Sequence, residues 1–195
     1  MIVGITGGTG CGKTTALEAI RSLGGTVIDC DAVYHDLLVN DQTLLAAIEN
    51  RFPGTVTNGV LDRKALGNIV FTDAAALLAL NEITHPAVKA AVLRQLAPCP
   101  KLAAIDAIAL FEGGLSDLCD VTVAVTAPTE SRINRLMARE GISRQYAEKR
   151  IAAQKPNEYF SSLCDYTLEN SGTQEAFLAK CLAFFSRQDI IKKNK

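Results

Sequence analysis

Short apolar segments alternating with stretches of helical periodicity predict an α/β fold, with a parallel sheet flanked by helices on both faces. Two observations sharpen that prediction. A glycine-rich segment joins the first apolar segment to the first helical one, as where parallel-sheet proteins hold ligands at strand ends. Val121–Val125, the most β-branched stretch, reads as a core strand. No internal repeat or low-complexity linker divides residues 1–195, so a single domain is expected.

Met1–Ile5 is a short apolar strand that runs into Thr6-Gly7-Gly8-Thr9-Gly10-Cys11-Gly12-Lys13-Thr14. Thr15–Leu23 has helical spacing through Ala16, Leu17, Ala19, Ile20 and Leu23, and Gly24-Gly25 ends it. Thr26–Ile28 is a second buried strand leading to Asp29-Cys30-Asp31. Residues 32–51 carry a helical pattern with a break near Asn40-Asp41, and Phe52–Leu61 is a Pro/Gly/Asn-rich connection. Leu66–Phe71, Ala74–Ile83 and Ala87–Leu96 are helical, the last two separated by His85-Pro86. Pro98-Cys99-Pro100 is a stop before a strand at Leu102–Ile105, which ends at Asp106. Thr129–Glu140 and Ser143–Gln154 form two helices joined by Gly141, Thr167-Leu168 begins an edge strand, and Gln174–Phe185 is a C-terminal helix.

Hydrophobic residues make up 48% of the chain and charged residues 21%, the balance of a soluble globular protein. A net charge of -1 favours neither nucleic acid nor an anionic membrane as a partner. No apolar run reaches bilayer-spanning length, and no secretory leader precedes the first motif, so a cytoplasmic protein is expected. Six cysteines, at 11, 30, 99, 119, 164 and 181, match no zinc or CxxC spacing and read as reduced thiols.

Gly7-x-x-x-x-Gly12-Lys13-Thr14 completes the GxxxxGK[ST] pattern with a strand before it and a helix after it. Glycines let successive N–H groups turn inward around a polyphosphate, and the following helix adds its positive end. Lys13 is placed to reach β- and γ-phosphates, and Thr14 to supply a hydroxyl ligand to Mg2+. The nucleotide-binding set expected from the motif is Gly8, Thr9, Gly10, Cys11, Gly12, Lys13, Thr14 and Thr15. Cys11 at a helix start is either an oxidation-sensitive thiol or a small loop filler. The motif alone does not separate kinases from ATPases and GTPases, but the chain has no Asn-Lys-x-Asp element for reading guanine.

Asp29 and Asp31 follow the second strand, and in extended backbone residues two apart share a face. One of them is a candidate to accept a proton from a substrate hydroxyl, the alternative being a polar turn that closes the strand. Asp106, at another strand end, is a candidate to position Mg2+ or else a cap. Arg132, Arg135 and Arg139 share one helical face, in a stretch where basic residues outnumber acidic ones seven to three. They suit an arginine-bearing lid over transferring phosphates, or an ordinary solvated surface.

Taken together, these motifs resemble the dephospho-CoA kinase family over nearly the whole chain. The resemblance rests on Ile5-Thr6-Gly7-Gly8, Val27-Ile28-Asp29-Cys30-Asp31, Leu61-Asp62-Arg63, Leu66 with Ile69-Val70-Phe71, and Leu80-Asn81 with His85-Pro86. It continues in Leu110-Phe111-Glu112, Arg135 with Arg139, Gln154 and Asn170. It implies a P-loop kinase fold like that of the nucleotide monophosphate kinases, with a helical substrate-binding region about 32–96 and a lid about 129–155. It also implies ATP and Mg2+ as cofactors and dephospho-CoA as the small-molecule substrate, phosphorylated on its ribose 3'-hydroxyl. Asp31 then matches the general base, Lys13 and Thr14 the ATP and Mg2+ residues, and Arg139 the lid arginine that meets the phosphates. Arg63, His85 and Glu112 fall on the substrate side, where His85 is alternatively a packed core histidine, and Asn170 falls on the nucleotide side. A monomer and an oligomer are both compatible with the sequence.

The chain departs from the family pattern in places. Asp106-Ala107-Ile108-Ala109-Leu110 lacks a proline and a leucine, Lys155 stands where an arginine usually follows Gln154, Cys164-Asp165 replaces an Ala-Asp pair, and Ser131 replaces a glutamine. The alternatives are a related kinase for another small alcohol or nucleoside, and a non-catalytic ATP-binding protein.

Overall fold

The structure is a computed structural model that describes residues 1–98 and 100–187. Cys99 lies outside the described residues, while Cys11, Cys30, Cys119, Cys164 and Cys181 are all thiols. The described residues divide into two compact units: 1–28 with 100–187, and 29–98.

The first unit is built on a five-stranded sheet of order β2-β5-β1-β6-β7. Its strands are β1 (Ile2–Thr6), β2 (Thr26–Asp29), β5 (Ala103–Asp106), β6 (Val121–Thr126) and β7 (Tyr166–Glu169). β1 runs parallel to β5 and to β6, and β6 runs parallel to β7. Every residue of β6 is buried, Thr122 and Thr126 included, as expected of an inner strand in a parallel sheet covered on both faces. Helices α1 (Lys13–Ser22) and α9 (Gln174–Phe185) pack together over the sheet. Ala16, Leu17 and Ile20 of α1 and Phe177, Cys181, Phe184 and Phe185 of α9 form one core with Val3, Ile5, Val121, Val123 and Val125. Each large side chain buried there contributes about 1.5–3 kcal/mol of transfer free energy. Helix α8 (Asn157–Leu163) lies against β6 and buries Phe160. Helices α6 (Thr129–Glu140) and α7 (Arg144–Ala152) form a hairpin around Ile133, Leu136 and Ala147, with Gly141 ending α6 at φ 65.

The second unit contains α2 (Cys30–Asn40), α3 (Gln42–Arg51), a hairpin of β3 (Val56–Thr57) and β4 (Val60–Leu61), α4 (Arg63–Val70) and α5 (Ala74–Leu96). All four helices start on an aspartate, Asp29, Asp41, Asp62 and Asp73, whose carboxylate accepts two backbone N–H groups.

Three expectations are corrected. Asp29 and Asp31 do not lie two apart on an extended strand: β2 ends at Asp29, which caps α2, and Asp31 sits inside the first turn. The segments on either side of His85-Pro86 are one helix, held through Pro86 by the buried stripe Leu80, Thr84, Val88, Ala91 and Val92. The connection Phe52–Leu61 contains a hairpin, turned at Asn58-Gly59 with φ 53 and 75, the backbone of a tight two-residue loop. No described helix is long and apolar enough to cross a membrane.

Candidate active site

The segment between β1 and α1 is the centre of the site. Helix α1 begins on Gly12, in the left-handed region at φ 104, and has no side-chain cap. Its first-turn N–H groups are therefore presented without the carboxylate that each helix of the second unit receives, the arrangement of an anion site. A β-carbon at Gly12 would lie 2.2 Å from Asn170 Nδ2, so neither the backbone angle nor the space admits another residue.

Lys13 is half-buried and donates from Nζ to the Gly7 carbonyl at 2.8 Å, folding its charge over the loop. Thr14 is exposed on the first turn of α1, whereas Thr15 is buried at 8% exposure. Asp106 ends β5 and registers beside Ile5, which brings its carboxylate to the sheet end from which the loop departs. Among the described residues no group of three or more His, Cys, Asp and Glu is placed to hold a metal ion.

Cys11 is wholly buried, and burial pushes its thiol up despite the pull of Lys13 and Arg132. That rise opposes the thiolate a helix start would favour. Cys11 is a loop filler.

Behind the loop lies a set of side chains from far along the chain. Arg132 is 3% exposed; its Nε donates to the Thr9 carbonyl at 2.8 Å and its Nη2 to Gln154 Oε1 at 3.0 Å. Gln154 Oε1 also accepts the Thr9 N–H at 2.8 Å. Arg135 donates to the Gly10 carbonyl at 3.2 Å and to Asn170 Oδ1 at 2.9 Å, and Asn170 Nδ2 donates to the Cys11 carbonyl at 3.0 Å. Asn170, expected on the nucleotide side, is 4% exposed and supports the loop from behind.

Arg139 stands apart. Its side chain is 58% exposed and donates to Glu140 at 2.5 Å, and the other Glu140 oxygen is taken by Arg150. These two arginines hold the Glu140 carboxyl below its ordinary value. Of the three arginines on the face of α6, two are committed to the loop backbone and one to a surface carboxylate.

Glu112, exposed after β5, accepts a hydrogen bond from Tyr159 of α8 at 2.7 Å, which pushes the tyrosine's phenol up. The Lys155 ammonium lies 5.2 Å from the Tyr159 ring centroid. Lys155 therefore meets an aromatic face, and the sequence had given Tyr159 no role. Asp165, of the altered Cys164-Asp165 pair, ties the start of β7 to β6 by accepting from the Thr122 N–H and hydroxyl at 2.8 and 2.7 Å.

The other expected residues belong to the helical unit. Asp31 is exposed in the first turn of α2, Arg63 opens α4 and His85 is partly buried in α5. Tyr34, one turn along α2 from Asp31, lies near Arg63; burial raises its phenol pKa and the guanidinium opposes that rise.

The Dephospho-CoA kinase family model matches residues 1–175. The chain belongs to the dephospho-CoA kinase family. The dephospho-CoA kinase of Anaeromyxobacter dehalogenans is 38% identical over 185 residues, covering 92% of this chain and 88% of that protein. A solved structure from Thermus thermophilus is 35% identical, with a TM-score of 0.78 over 95% of this chain and 96% of that one. The dephospho-CoA kinase from Campylobacter jejuni is 26% identical, with a TM-score of 0.67 over 95% of both chains. A shikimate kinase from Bacteroides thetaiotaomicron, at 16% identity and a TM-score of 0.54, shares the fold alone. The parallel sheet flanked by helices is thus the P-loop kinase fold of this dephospho-CoA kinase family member.

Proposed function

We propose that the protein transfers the γ-phosphoryl group of ATP to the ribose 3'-hydroxyl of dephospho-CoA, giving coenzyme A and ADP. The observation that carries this reading is the uncapped start of α1 beside Lys13, in a chain matched to the family over residues 1–175. Loop N–H groups take the polyphosphate, and Lys13 exchanges the Gly7 carbonyl for phosphate oxygens. Thr14 and Asp106 offer hard oxygen donors, the class magnesium takes, and fit a Mg2+ that keeps several waters and completes its shell with phosphates. When bound, that ion neutralises charge on the β- and γ-phosphates.

Asp31 is assigned the proton of the 3'-hydroxyl. Asp29 is spent on capping α2, so Asp31 is the acid of the pair left for chemistry. Arg63, His85 and Glu112 are assigned to the acceptor, and Arg139, on the 129–155 lid, to charge that develops on the transferred group.

A coupled ADP assay with and without dephospho-CoA, with mass analysis of the product, tests the reading. ADP formation that depends on dephospho-CoA and a product heavier by one phosphoryl group are expected. Preference for another alcohol would move the acceptor, and no transfer to any alcohol would leave a nucleotide-binding protein. Lys13→Ala should lower kcat roughly 100–1,000-fold by removing a phosphate-directed charge. Asp31→Asn should lower kcat at least about 100-fold with little change in ATP affinity; a severe Asp29→Asn and a benign Asp31→Asn would reverse the assignment.

A further inference from the structure

The GxxxxGK[ST] pattern leaves the residue after its first glycine open, yet Gly8 stands there. Its surroundings explain why. A β-carbon on Gly8 would lie 2.4 Å from Arg132 Nη2 and 3.1 Å from Gln154 Oε1. The space that would hold a side chain is filled by the two residues that bind Thr9, and those three residues close a ring of hydrogen bonds. Arg132 Nε donates to the Thr9 carbonyl, the Thr9 N–H donates to Gln154 Oε1, and Arg132 Nη2 donates to that same oxygen. Both backbone polar groups of Thr9 are thereby fixed by residues 123 and 145 positions away.

The geometry points to Gln154 and Arg132 as positioning residues of the phosphate loop, a part-buried clamp through which the end of α7 sets the affinity for nucleotide. This inference rests on the reading of the loop as a nucleotide site. Arg132 arrives from the second turn of α6 and Gln154 from just beyond α7, so the helical hairpin and the loop meet at one amide oxygen. A hydrogen bond to a buried charged group is among the strong ones, and deleting the acceptor strands both a guanidinium N–H and a backbone N–H. The loop would then lose its preset curvature, and binding a polyphosphate would have to restore it.

The test is direct titration of the protein with Mg·ADP by calorimetry, without acceptor, on the wild type, Gln154→Leu, Gln154→Glu and Gly8→Ala. Gln154→Leu should raise the Kd about tenfold or more, since both hydrogen bonds that Gln154 Oε1 accepts are lost. Gln154→Glu keeps acceptor oxygens for both donors and should bind within about threefold of the wild type, a rescue expected of an acceptor whose job is to hold Arg132. Gly8→Ala pushes the guanidinium out of the ring and should weaken binding in the same direction as Gln154→Leu. In turnover, Gln154→Leu should raise KM for ATP while leaving KM for the acceptor unchanged, a split that general loosening of the fold would not produce. A Gln154→Leu Kd within twofold of the wild type would overturn the clamp. So would a Gln154→Glu that binds more weakly than Gln154→Leu, because a carboxylate that repels the nucleotide directly is a ligand contact and not a brace. Wild-type protein that binds Mg·ADP but does not phosphorylate dephospho-CoA would refute the acceptor reading and leave the clamp standing.

Discussion

The two ends of α6 carry the same residue type to opposite ends. Arg132 and Arg135, in its first two turns, are tied to backbone oxygens of the phosphate loop, and Arg132 is 3% exposed. Arg139, in the last turn, is 58% exposed and held by Glu140, a neighbour that itself faces solvent at 29%. Buried, hydrogen-bonded charge of the first kind cannot leave without stranding its partners. Exposed ion pairs of the second kind add little to stability and exchange readily for another anion. One helix thus combines a fixed frame for the loop with an arginine free to be redeployed.

The largest expected effect is on that redeployable arginine. Arg139→Ala should lower kcat roughly 100–1,000-fold if it meets charge developing on the transferred phosphoryl group. Its melting temperature should stay within about 2 °C of the wild type, because only a surface pair is lost. A thermal shift assay alongside steady-state kinetics checks both. A large fall in melting temperature with kcat intact would reverse the contrast between the two ends of α6.

The frame should respond in the opposite way. Asn170→Leu keeps the branched shape but removes the acceptor of Arg135 and the donor to the Cys11 carbonyl. The cost to stability should be about 2 kcal/mol, read as a lower midpoint in urea. An unchanged midpoint would mean that the loop does not depend on its backing.

The same contrast separates what could be read from the chain from what could not. The loop motif, the bounds of α6 and α9 and the position of β7 at the sheet edge were legible, because each is written in consecutive residues with a clear period or pattern. β3 and β4 were not, since two-residue strands have no period, although Asn58-Gly59 was a turn signal in plain view. The seven residues of α8 were passed over, with Pro156 at its N-cap as the unread cue. In the site, Lys13 and Thr14 could be nominated from local pattern, whereas the choice of Asp31 over Asp29 rested on the family resemblance. The clamp on Thr9 could not, because Arg132 and Gln154 come to it only when β1 and β6 pair and α6 packs behind the loop. The shared face of Arg132, Arg135 and Arg139 was visible, but burial, which divides their roles, is a property of the fold.

The smallest expected effect tests the exposed side of the comparison through pH. Arg139 and Arg150 hold the Glu140 carboxyl below its ordinary 4.5 in the folded protein. A carboxyl whose folded pKa is depressed adds stability that is present above the unfolded pKa and is lost as pH falls through the folded one. Glu140→Gln removes that proton linkage and leaves the other carboxylates in place. The stability difference between wild type and Glu140→Gln should therefore be constant near neutrality and shrink as pH falls below 4.5, which urea midpoints at several pH values will show. High salt should narrow the gap at neutral pH, since these groups are exposed. A gap that persists unchanged below the folded pKa would make Glu140 a packing residue, and Arg139 would then be as firmly seated as Arg132.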